Sequence, residues 1–350
     1  MKRWMINVFA VVASMVMLSS CSGVKYISVE TREPAQVVLP SNVQRVAIVS
    51  NVVQQPNDVG HWMHSLGQSE KRVKASADSV AIYFTEAMSQ FLNEEDYFLD
   101  VIYYGRQLRG DKDYFQEQIL PTDEMNKIRQ ETGADAVISL DKLLIETRMK
   151  EHFRYQGYMY GELKGDIHST LRVYMPSMEG KIPKVEYSDS LMWMGFDLPN
   201  ESAYYAEEIL PSREDAMKML AVRAAEKMSN VFAPHWEAQD RWYYTSNKSA
   251  MKDAMTLAEN MDWTGAISKW EAYYNSISNK REKARVASNI ALAYEMMDDM
   301  NLAYEWAKTA KDLLVESTGE DSLDRRRAVL YLNEIERRRS NKNRIDLNDY

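Results

Sequence analysis

The sequence predicts an α+β protein in which a sheet-containing domain precedes an all-helical domain. Between residues 43 and 240, short apolar runs alternate with stretches of helical periodicity. After residue 248 the strand-like runs disappear, and small residues recur at helical spacing. The chain has 350 residues, of which 45% are hydrophobic, and this apolar content is sufficient for folded cores. Two domains fit this length at the usual size of roughly 100 to 200 residues each.

The first 20 residues have the organisation of a secretory signal peptide. Lys2 and Arg3 precede an apolar run at Met5–Leu18, which is shorter than the roughly 20 residues that span a membrane. The following Leu18-Ser19-Ser20-Cys21 resembles the bacterial lipobox, in which the chain is cut before the cysteine and its sulfur receives a lipid. Cys21 is the only cysteine, so lipidation would account for a thiol with no disulfide partner. An ordinary signal peptide with an incidental thiol is the alternative.

The residues after Cys21 favour the outer membrane. Ser22 stands where an aspartate retains lipoproteins in the inner membrane of well-studied Gram-negative bacteria. Residues 22–26 also lack the acidic run that follows the cysteine in some surface-exposed Bacteroidetes lipoproteins. We therefore expect a lipid anchor in the periplasmic leaflet, with the cell surface as the alternative, and a lead-in segment over residues 21–42.

The sheet domain is predicted over residues 43–240. Its strands are indicated by apolar runs and its helices by one-sided apolar spacing. The elements in order are a strand at Val43–Val49, a loop at Ser50–Lys74, a helix at Asp78–Asn93, a strand at Tyr97–Tyr104, a helix from Thr122 and a strand at Gly133–Glu146. Two helical crossovers between strands predict a sandwich-like layered α/β sheet.

Two further strands and a helix complete this domain. Period-two stretches at Tyr158–Pro176 and Lys184–Phe196 predict a β-hairpin that adds antiparallel strands to the sheet. Ser212 begins the next helix with a carboxylate, Asp215, three residues later, as in a capping box. Pro234 ends that helix, so the domain should close within Pro234–Tyr244.

Residues 248–340 are predicted to form tetratricopeptide-like helical repeats, followed by a tail at 341–350. In such repeats, small residues let antiparallel helices approach closely. Ala266 and Ala303 mark two copies 37 residues apart, slightly more than the usual spacing of about 34. The predicted packing residues are Ala254, Leu257, Ala266 and Trp270 in the first copy, and Ala291, Tyr294, Ala303, Ala307 and Ala310 in the second. The repeats either bind a partner or pack against the sheet domain.

A third helix, about Ser322 to Ser340, is predicted to end the stack. Arg326 and Arg337 are eleven residues apart, close to three turns, and therefore share a face. That face either meets anionic lipid headgroups or an acidic partner, or belongs to a solvated capping helix.

Charge and motifs exclude several functional classes. The chain has 43 basic and 52 acidic residues, and removing Lys2 and Arg3 leaves 41 basic residues, a balance that argues against nucleic-acid binding. His61 and His64 have the spacing of a ligand pair on a helix but no clear third ligand, so we expect solvated loop histidines and no metal. No phosphate-binding loop, dinucleotide fingerprint or nucleophile elbow is present. The sequence therefore predicts no catalytic residues and no cofactor.

The stretches "PAQVVLPSNVQRVAIV", "GADAVISLDKL" and "PHWEAQDRWYY", with the short repeats, resemble a family of uncharacterised Bacteroidetes lipoproteins. That family has a domain of unknown function and a tetratricopeptide-like C-terminal region, and the resemblance carries no catalytic residues.

Two functional hypotheses follow from the sequence. The first is a non-enzymatic lipoprotein whose domains dock another envelope protein. The second is an envelope enzyme, or a glycan- or small-ligand-binding protein, that uses the loop at 50–74 and the tyrosine-rich strand with Tyr155, Tyr158 and Tyr160. Converging carboxylates or imidazoles in a cleft would favour the second, and an apolar or charged groove on the repeats would favour the first.

Overall fold

The computed structural model describes residues 23–111, 113–153, 159–176, 182–197 and 210–348, which fall into two compact units. Residues 35–235 form the sheet unit, and the described residues 23–34 and 236–348 form the helical unit. The strands are β1 (Val24–Glu33), β2 (Arg45–Ser50), β3 (His61–His64), β4 (Lys71–Arg72), β5 (Asp100–Tyr104), β6 (Ala136–Phe153), β7 (Met159–Tyr174), β8 (Lys184–Asp197) and β9 (His235–Tyr244). The helices are α1 (Val80–Glu94), α2 (Thr122–Thr132), α3 (Arg213–Phe232), α4 (Ser249–Glu259), α5 (Trp263–Ser276), α6 (Lys280–Met296), α7 (Met300–Ser317) and α8 (Leu323–Asn348).

The sheet unit is built around β2, which is buried on both faces. Val46 and Ile48 point into one core, where α1 and α3 pack, and Ala47 and Val49 point into a second core beneath α2. β2 is hydrogen-bonded in parallel to β5 on one side and to β6 on the other. The four central residues of β2, Val46 to Val49, are apolar and buried on both faces, as is usual for strands of parallel sheets that are covered by helices on both sides.

Antiparallel strands extend this sheet. β7 pairs with β6 along its full length, and β8 pairs with β7. The main path of the sheet runs β4-β3-β6-β2-β5, with β7 and β8 branching from β6. The predicted sheet region followed by a helical region is therefore confirmed. The predicted elements β2, α1, β5, α2 and β6 occur in the predicted order, with β3 and β4 inserted between β2 and α1.

The prediction of a loop over residues 50–74 is wrong in part. His61–His64 forms β3, which lies parallel to β6, and Lys71–Arg72 pairs with β3. The reason is the length of β6, which has 18 residues and continues well beyond the end of β2. Its exposed backbone groups need hydrogen-bond partners, and a four-residue strand supplies them.

The helical unit contains five described helices, α4 to α8, and a two-stranded ribbon of β1 and β9. Thr245 N donates to Gly23 O at one end of the ribbon, and the Thr31 hydroxyl donates to Glu237 O at the other. These pairings show that the two strands run antiparallel. The segment expected to be a lead-in therefore forms a strand of the helical unit over residues 24–33, while residues 35–42 belong to the sheet unit.

Two helix turns in this unit have the same construction. Met261 and Asp298 are both left-handed, with φ of 62° and 59°. In each case the next residue, Asp262 or Asp299, caps the following helix by accepting a backbone N–H with its side chain. The turns are 37 residues apart, the spacing that the sequence indicated. Within the described ranges, no helix has the length and apolar character needed to cross a membrane.

Candidate functional site

The strand order places a topological switch point between β2 and β6. After β2, the chain forms β3 and β4 and then passes through α1 to β5, which lies on one side of β2. It returns through α2 to β6 on the other side of β2. Open α/β sheets bind ligands at the carboxyl ends of the strands that flank such a point. The side chains around Asn51 and Asp141 are therefore the first candidates for a site in the sheet unit.

Asp141 lies at this switch point, where the register of β6 against β7 shifts. Its side chain is completely buried. The carboxylate accepts hydrogen bonds from the Ser139 hydroxyl at 2.6 Å, the Tyr174 hydroxyl at 2.6 Å, Arg172 Nη1 at 2.8 Å and Asn51 Nδ2 at 3.3 Å. Four donors satisfy both oxygens, as buried carboxylates require.

The loop between β5 and α2 covers this cluster. Asn51 Nδ2 also donates to Gln118 O at 2.9 Å, and Leu120 N donates to the Tyr174 hydroxyl at 3.0 Å. Glu117 forms an ion pair with Arg172. The crevice where a ligand would bind in a sheet of this type is therefore filled by the protein's own chain.

Burial and hydrogen bonding shift the pKa values of Glu117 and Tyr174 in this cluster. Burial alone would raise the pKa of Glu117, but the hydrogen bond and charge of Arg172 outweigh it and hold that pKa below its usual range. Burial, with the hydrogen bond to Asp141, raises the pKa of Tyr174 far above its usual value. A general base needs a lone pair that can reach a substrate proton, and the Asp141 oxygens already accept four hydrogen bonds. We therefore interpret the cluster as structural.

A small cleft lies beside the cluster, at the carboxyl ends of β2 and β5 and the start of α1. Its lining includes Gln55, Ala81, Tyr103 and Arg106. The cleft holds about 180 Å³, whereas pockets that enclose a drug-sized ligand hold roughly 300 to 1,000 Å³. Gln55 is engaged with the backbone, since its side-chain amide bonds both Ile145 N and Ile145 O. The cleft therefore indicates no substrate class.

The two histidines of β3 do not form a ligand pair. Successive residues of a strand face opposite sides, so His61 is buried and His64 is half-buried on the other face. His61 Nδ1 lies 2.9 Å from the Thr147 hydroxyl, and burial and the nearby Arg213 charge lower the pKa of His61 to about 4. The expectation of a solvated loop histidine is wrong for His61, because β6 recruits this segment into the sheet. Among the described residues, no cluster of histidine, cysteine and carboxylate side chains suits a metal ion.

The tyrosine-rich strand is represented by Tyr160, because Tyr155 and Tyr158 lie outside the described residues. The Tyr160 ring stacks on His152 with a centroid distance of 4.5 Å and on Phe196 at 5.8 Å. The three residues are cross-strand neighbours on β6, β7 and β8. Because its ring lies between two other rings, Tyr160 offers no free face for stacking on a sugar.

The predicted packing residues of the helical unit line its interior. Leu257 and Tyr294 are half-buried and pack against the cores. The remaining predicted residues are buried, namely Ala254, Ala266, Trp270, Ala291, Ala303, Ala307 and Ala310. One core joins α4, α5 and α6, and a second joins α6, α7 and α8 with the ribbon.

An open groove of about 630 Å³ lies between the β1–β9 ribbon and helices α6 to α8. We call it the ribbon groove. Its apolar lining comes from Val29, Met296 and Met300, and Trp236 stands at it with 64% of its surface exposed. Arg338 and Lys342 of α8 also line the groove, where they pair with Glu295 and Asp298 of the same lining. Trp, Met and Arg are the residue types that protein interfaces favour.

A buried charge network fixes one wall of the ribbon groove. Glu295 is completely buried and accepts hydrogen bonds from Arg241 Nε at 2.9 Å and the Tyr331 hydroxyl at 2.7 Å, and it also pairs with Arg338. Burial and the Glu295 carboxylate raise the pKa of Tyr331 well above its usual value. These contacts tie β9 and α8 to the end of α6.

Arg326 and Arg337 of α8 both bond to groups within the helical unit. Arg337 pairs with Glu33 of β1 and with Glu334, while Arg326 donates to Asp321 O at 3.2 Å. The face shared by Arg326 and Arg337 in the sequence therefore includes a residue that holds the ribbon in place.

Sequence reasoning missed Asp141, Glu295 and Trp236. Asp141 had a usable signal, because it is the one charged residue in the apolar run of residues 136–141. Glu295 follows Tyr294 in the second repeat copy and gave no signal, because its partners come from β9 and α8. Trp236 lies within Pro234–Tyr244, where the sequence predicts only the end of a domain.

Residues 43–244 match the family described as Domain of unknown function (DUF8603). The chain belongs to this family. Residues 252–337 of this DUF8603 protein also match the family described as Domain of unknown function (DUF6340). The prediction of an uncharacterised family is thereby confirmed. No curated protein matches the chain.

One solved structure to which the DUF8603 protein is similar is the hypothetical protein CT253 from Chlamydia trachomatis. The identity is 13%, the match covers 53% of this chain and 93% of that chain, and the TM-score is 0.23.

Proposed function

We propose that the protein is a lipid-anchored envelope lipoprotein that docks another envelope protein in the ribbon groove. The observation that carries this proposal is the contrast between the two candidate sites. At the switch point of the sheet unit, a carboxylate that already accepts four hydrogen bonds lies beneath the chain's own loop. The ribbon groove, in contrast, is open and presents the exposed Trp236 and the half-buried Met296. The proposal requires no cofactor and no catalytic residue.

The helical unit supports an assignment as tetratricopeptide-like repeats. Two helix turns lie 37 residues apart, at Met261 and Asp298. In each, a residue with left-handed backbone conformation is followed by an aspartate that caps the next helix. Small residues at equivalent positions, Ala266 and Ala303, are completely buried. Stacked helix pairs of this kind commonly present binding surfaces for other proteins.

The anchor is proposed at Cys21, which lies outside the described residues. The lipobox-like Leu18-Ser19-Ser20-Cys21 supports lipidation, and Ser22 supports the outer membrane over the inner one. The ribbon begins at Val24, so β1 follows the anchor almost directly. A strand rises about 3.3 Å per residue, so Val29 of the groove lining lies roughly 17 Å along β1 from Val24.

The alternative, a glycan- or small-ligand-binding protein or envelope enzyme, has less support. The segment at 50–74 contributes β3 and β4 to the sheet, and the faces of the Tyr160 ring are turned toward other rings.

Site-specific photocrosslinking in intact cells tests the docking proposal. A photoreactive residue at Trp236 should capture a defined envelope protein, whereas the same residue at Phe115, which is exposed in the sheet unit, should not. Capture of the same partner from both positions, or from neither, would contradict docking in the ribbon groove. In the same cells, Cys21→Ala should release the protein from the membrane fraction, and an unchanged membrane fraction would contradict the anchor.

A further inference from the structure

A second cavity lies at the opposite end of the ribbon from the ribbon groove. It holds about 310 Å³ between the end of β9 and the start of α6. Thr245, Ser246, Asn279, Arg281 and Arg285 contribute to its lining. We call it the arginine pocket.

Two guanidinium groups in the arginine pocket share a single carboxylate. Arg281 Nε lies 3.0 Å and Arg285 Nη2 lies 2.8 Å from the same oxygen of Asp324. Asp324 is buried, while the side chains of Arg281 and Arg285 are 53% and 36% exposed. Arg327 lies 3.9 Å from the other oxygen of Asp324. Three cations therefore surround one anion, and the two that line the cavity are accessible to solvent.

The other acidic group of the pocket is already paired. Glu282 accepts from Lys248 at 2.8 Å and from the Tyr273 hydroxyl. These hydrogen bonds hold the pKa of Glu282 below its usual range. The start of α6, capped by Asn279, adds the positive end of a helix dipole. The pocket is therefore locally cationic in a chain whose formal net charge is -9.

Chain geometry brings this pocket close to the proposed anchor. Thr245, part of the pocket lining, donates its N–H to Gly23 O at 3.0 Å. Cys21 lies two residues before Gly23, and two residues of chain extend at most about 7 Å. A lipid on Cys21 would hold the Gly23 end of the ribbon at the membrane surface.

We propose that the arginine pocket binds the phosphate of an anionic lipid headgroup next to the anchor. This inference rests on the proposed lipid anchor at Cys21. Arginine forms paired, charge-assisted hydrogen bonds with phosphate oxygens, and Arg281 and Arg285 present two such groups at one cavity. Headgroup binding at this end orients the ribbon away from the membrane and leaves the ribbon groove facing the periplasm.

Vesicle binding by the full chain with Cys21→Ser tests the pocket without the anchor. Vesicles of phosphatidylcholine alone measure binding through the apolar N-terminal run, and vesicles that also contain phosphatidylglycerol measure the added effect of anionic headgroups. We expect Arg281→Gln to reduce that added binding about fivefold, since one arginine near an anionic surface contributes a factor of this size. Arg326→Gln, which removes an α8 arginine outside the pocket lining, is the matched control and should leave the binding unchanged.

A further variant and a stability measurement distinguish loss of headgroup binding from loss of the fold. Arg281→Lys retains the charge but loses the paired hydrogen bonds to phosphate, so it should restore only part of the binding. Thermal unfolding of each variant reports on the fold. Equal binding by Arg281→Gln and Arg326→Gln would overturn the proposal. Binding of inorganic phosphate that depends on Arg281, without any preference for anionic vesicles, would overturn the lipid assignment in favour of free phosphate. Failure of the proposed anchor gives a different result from failure of the pocket. Without an anchor, the wild-type chain is absent from the membrane fraction of cells, while the Cys21→Ser chain still binds anionic vesicles.

Discussion

Among the described residues, Asp141 of the sheet unit and Glu295 of the helical unit are carboxylates whose side chains are completely buried within a polar network. Asp141 has one guanidinium partner, Arg172, and its other donors are neutral hydroxyl and amide groups. Glu295 has two guanidinium partners, Arg241 and Arg338. The first network closes a crevice beneath a loop. The second fixes the wall of an open groove, the surface that we propose binds a partner.

The largest expected effect comes from Glu295→Ala. The change removes the carboxylate that Arg241, Arg338 and the Tyr331 hydroxyl share. Arg241 keeps Glu334 at 3.0 Å, but Arg338 loses its pairing with Glu295, and removal of one partner from a buried ion pair costs about 3 to 5 kcal/mol. Chemical denaturation should show this loss in the free energy of unfolding. Glu305→Ala, on an exposed position of α7, is the matched control and should change that free energy by less than about 0.5 kcal/mol.

The comparison between the units depends on a smaller loss for the corresponding change in the sheet unit. Asp141→Ala leaves Arg172 paired with Glu117, so we expect a cost of about 2 kcal/mol from the donors left unsatisfied. A loss equal to that of Glu295→Ala would contradict the distinction between a network of neutral donors and a network of charges.

A fall in pH should destabilise the sheet unit more than the helical unit, because all five histidines lie in the sheet unit. His61 has a pKa lowered to about 4 in the folded chain, from 6.5. The unfolded chain therefore binds a proton first as the pH falls. The stabilisation is complete above pH 6.5 and is lost as the pH falls through about 4, with a total of about 3 kcal/mol.

Hydrogen exchange measured residue by residue tests this difference. Between pH 6.5 and pH 4, protection of β3 and β6 should fall more than protection of α6 and α7, and His61→Gln should remove most of the excess loss. His64→Gln is the matched control, because it changes a histidine of the same strand on the opposite face. An equal loss of protection in both units, or no change in His61→Gln, would contradict the assignment.

The order of elements in the sheet unit could be predicted because each strand and helix has its own local pattern. The apolar run before Ser50 and the one-sided spacing around Phe84 suffice for β2 and α1. β1 and β3 could not be predicted in this way. Each is stabilised by a distant partner, β9 for β1 and β6 for β3, and no local pattern encodes that pairing.

The candidate sites were less predictable than the fold. The packing alanines of the repeats have fixed offsets, so a sequence pattern can place them. The ribbon groove combines Val29, Trp236 and Lys342, which are more than one hundred residues apart at the closest. The arginine pocket has the same difficulty, because Arg281 and Asp324 meet only when α6 and α8 pack together.

The smallest expected effect compares the two repeated turns of the helical unit. Met261 has a left-handed conformation that costs a side-chain-bearing residue about 1 kcal/mol, part of which glycine recovers. Met261→Gly should therefore raise the free energy of unfolding by about 0.5 kcal/mol. Asp298→Gly should give less, because it also removes the ion pair with Lys342 and because aspartate tolerates this conformation better. Chemical denaturation of the two variants measures this difference in the free energy of unfolding. Destabilisation by Met261→Gly would show that its turn is not the structural equivalent of the one at Asp298.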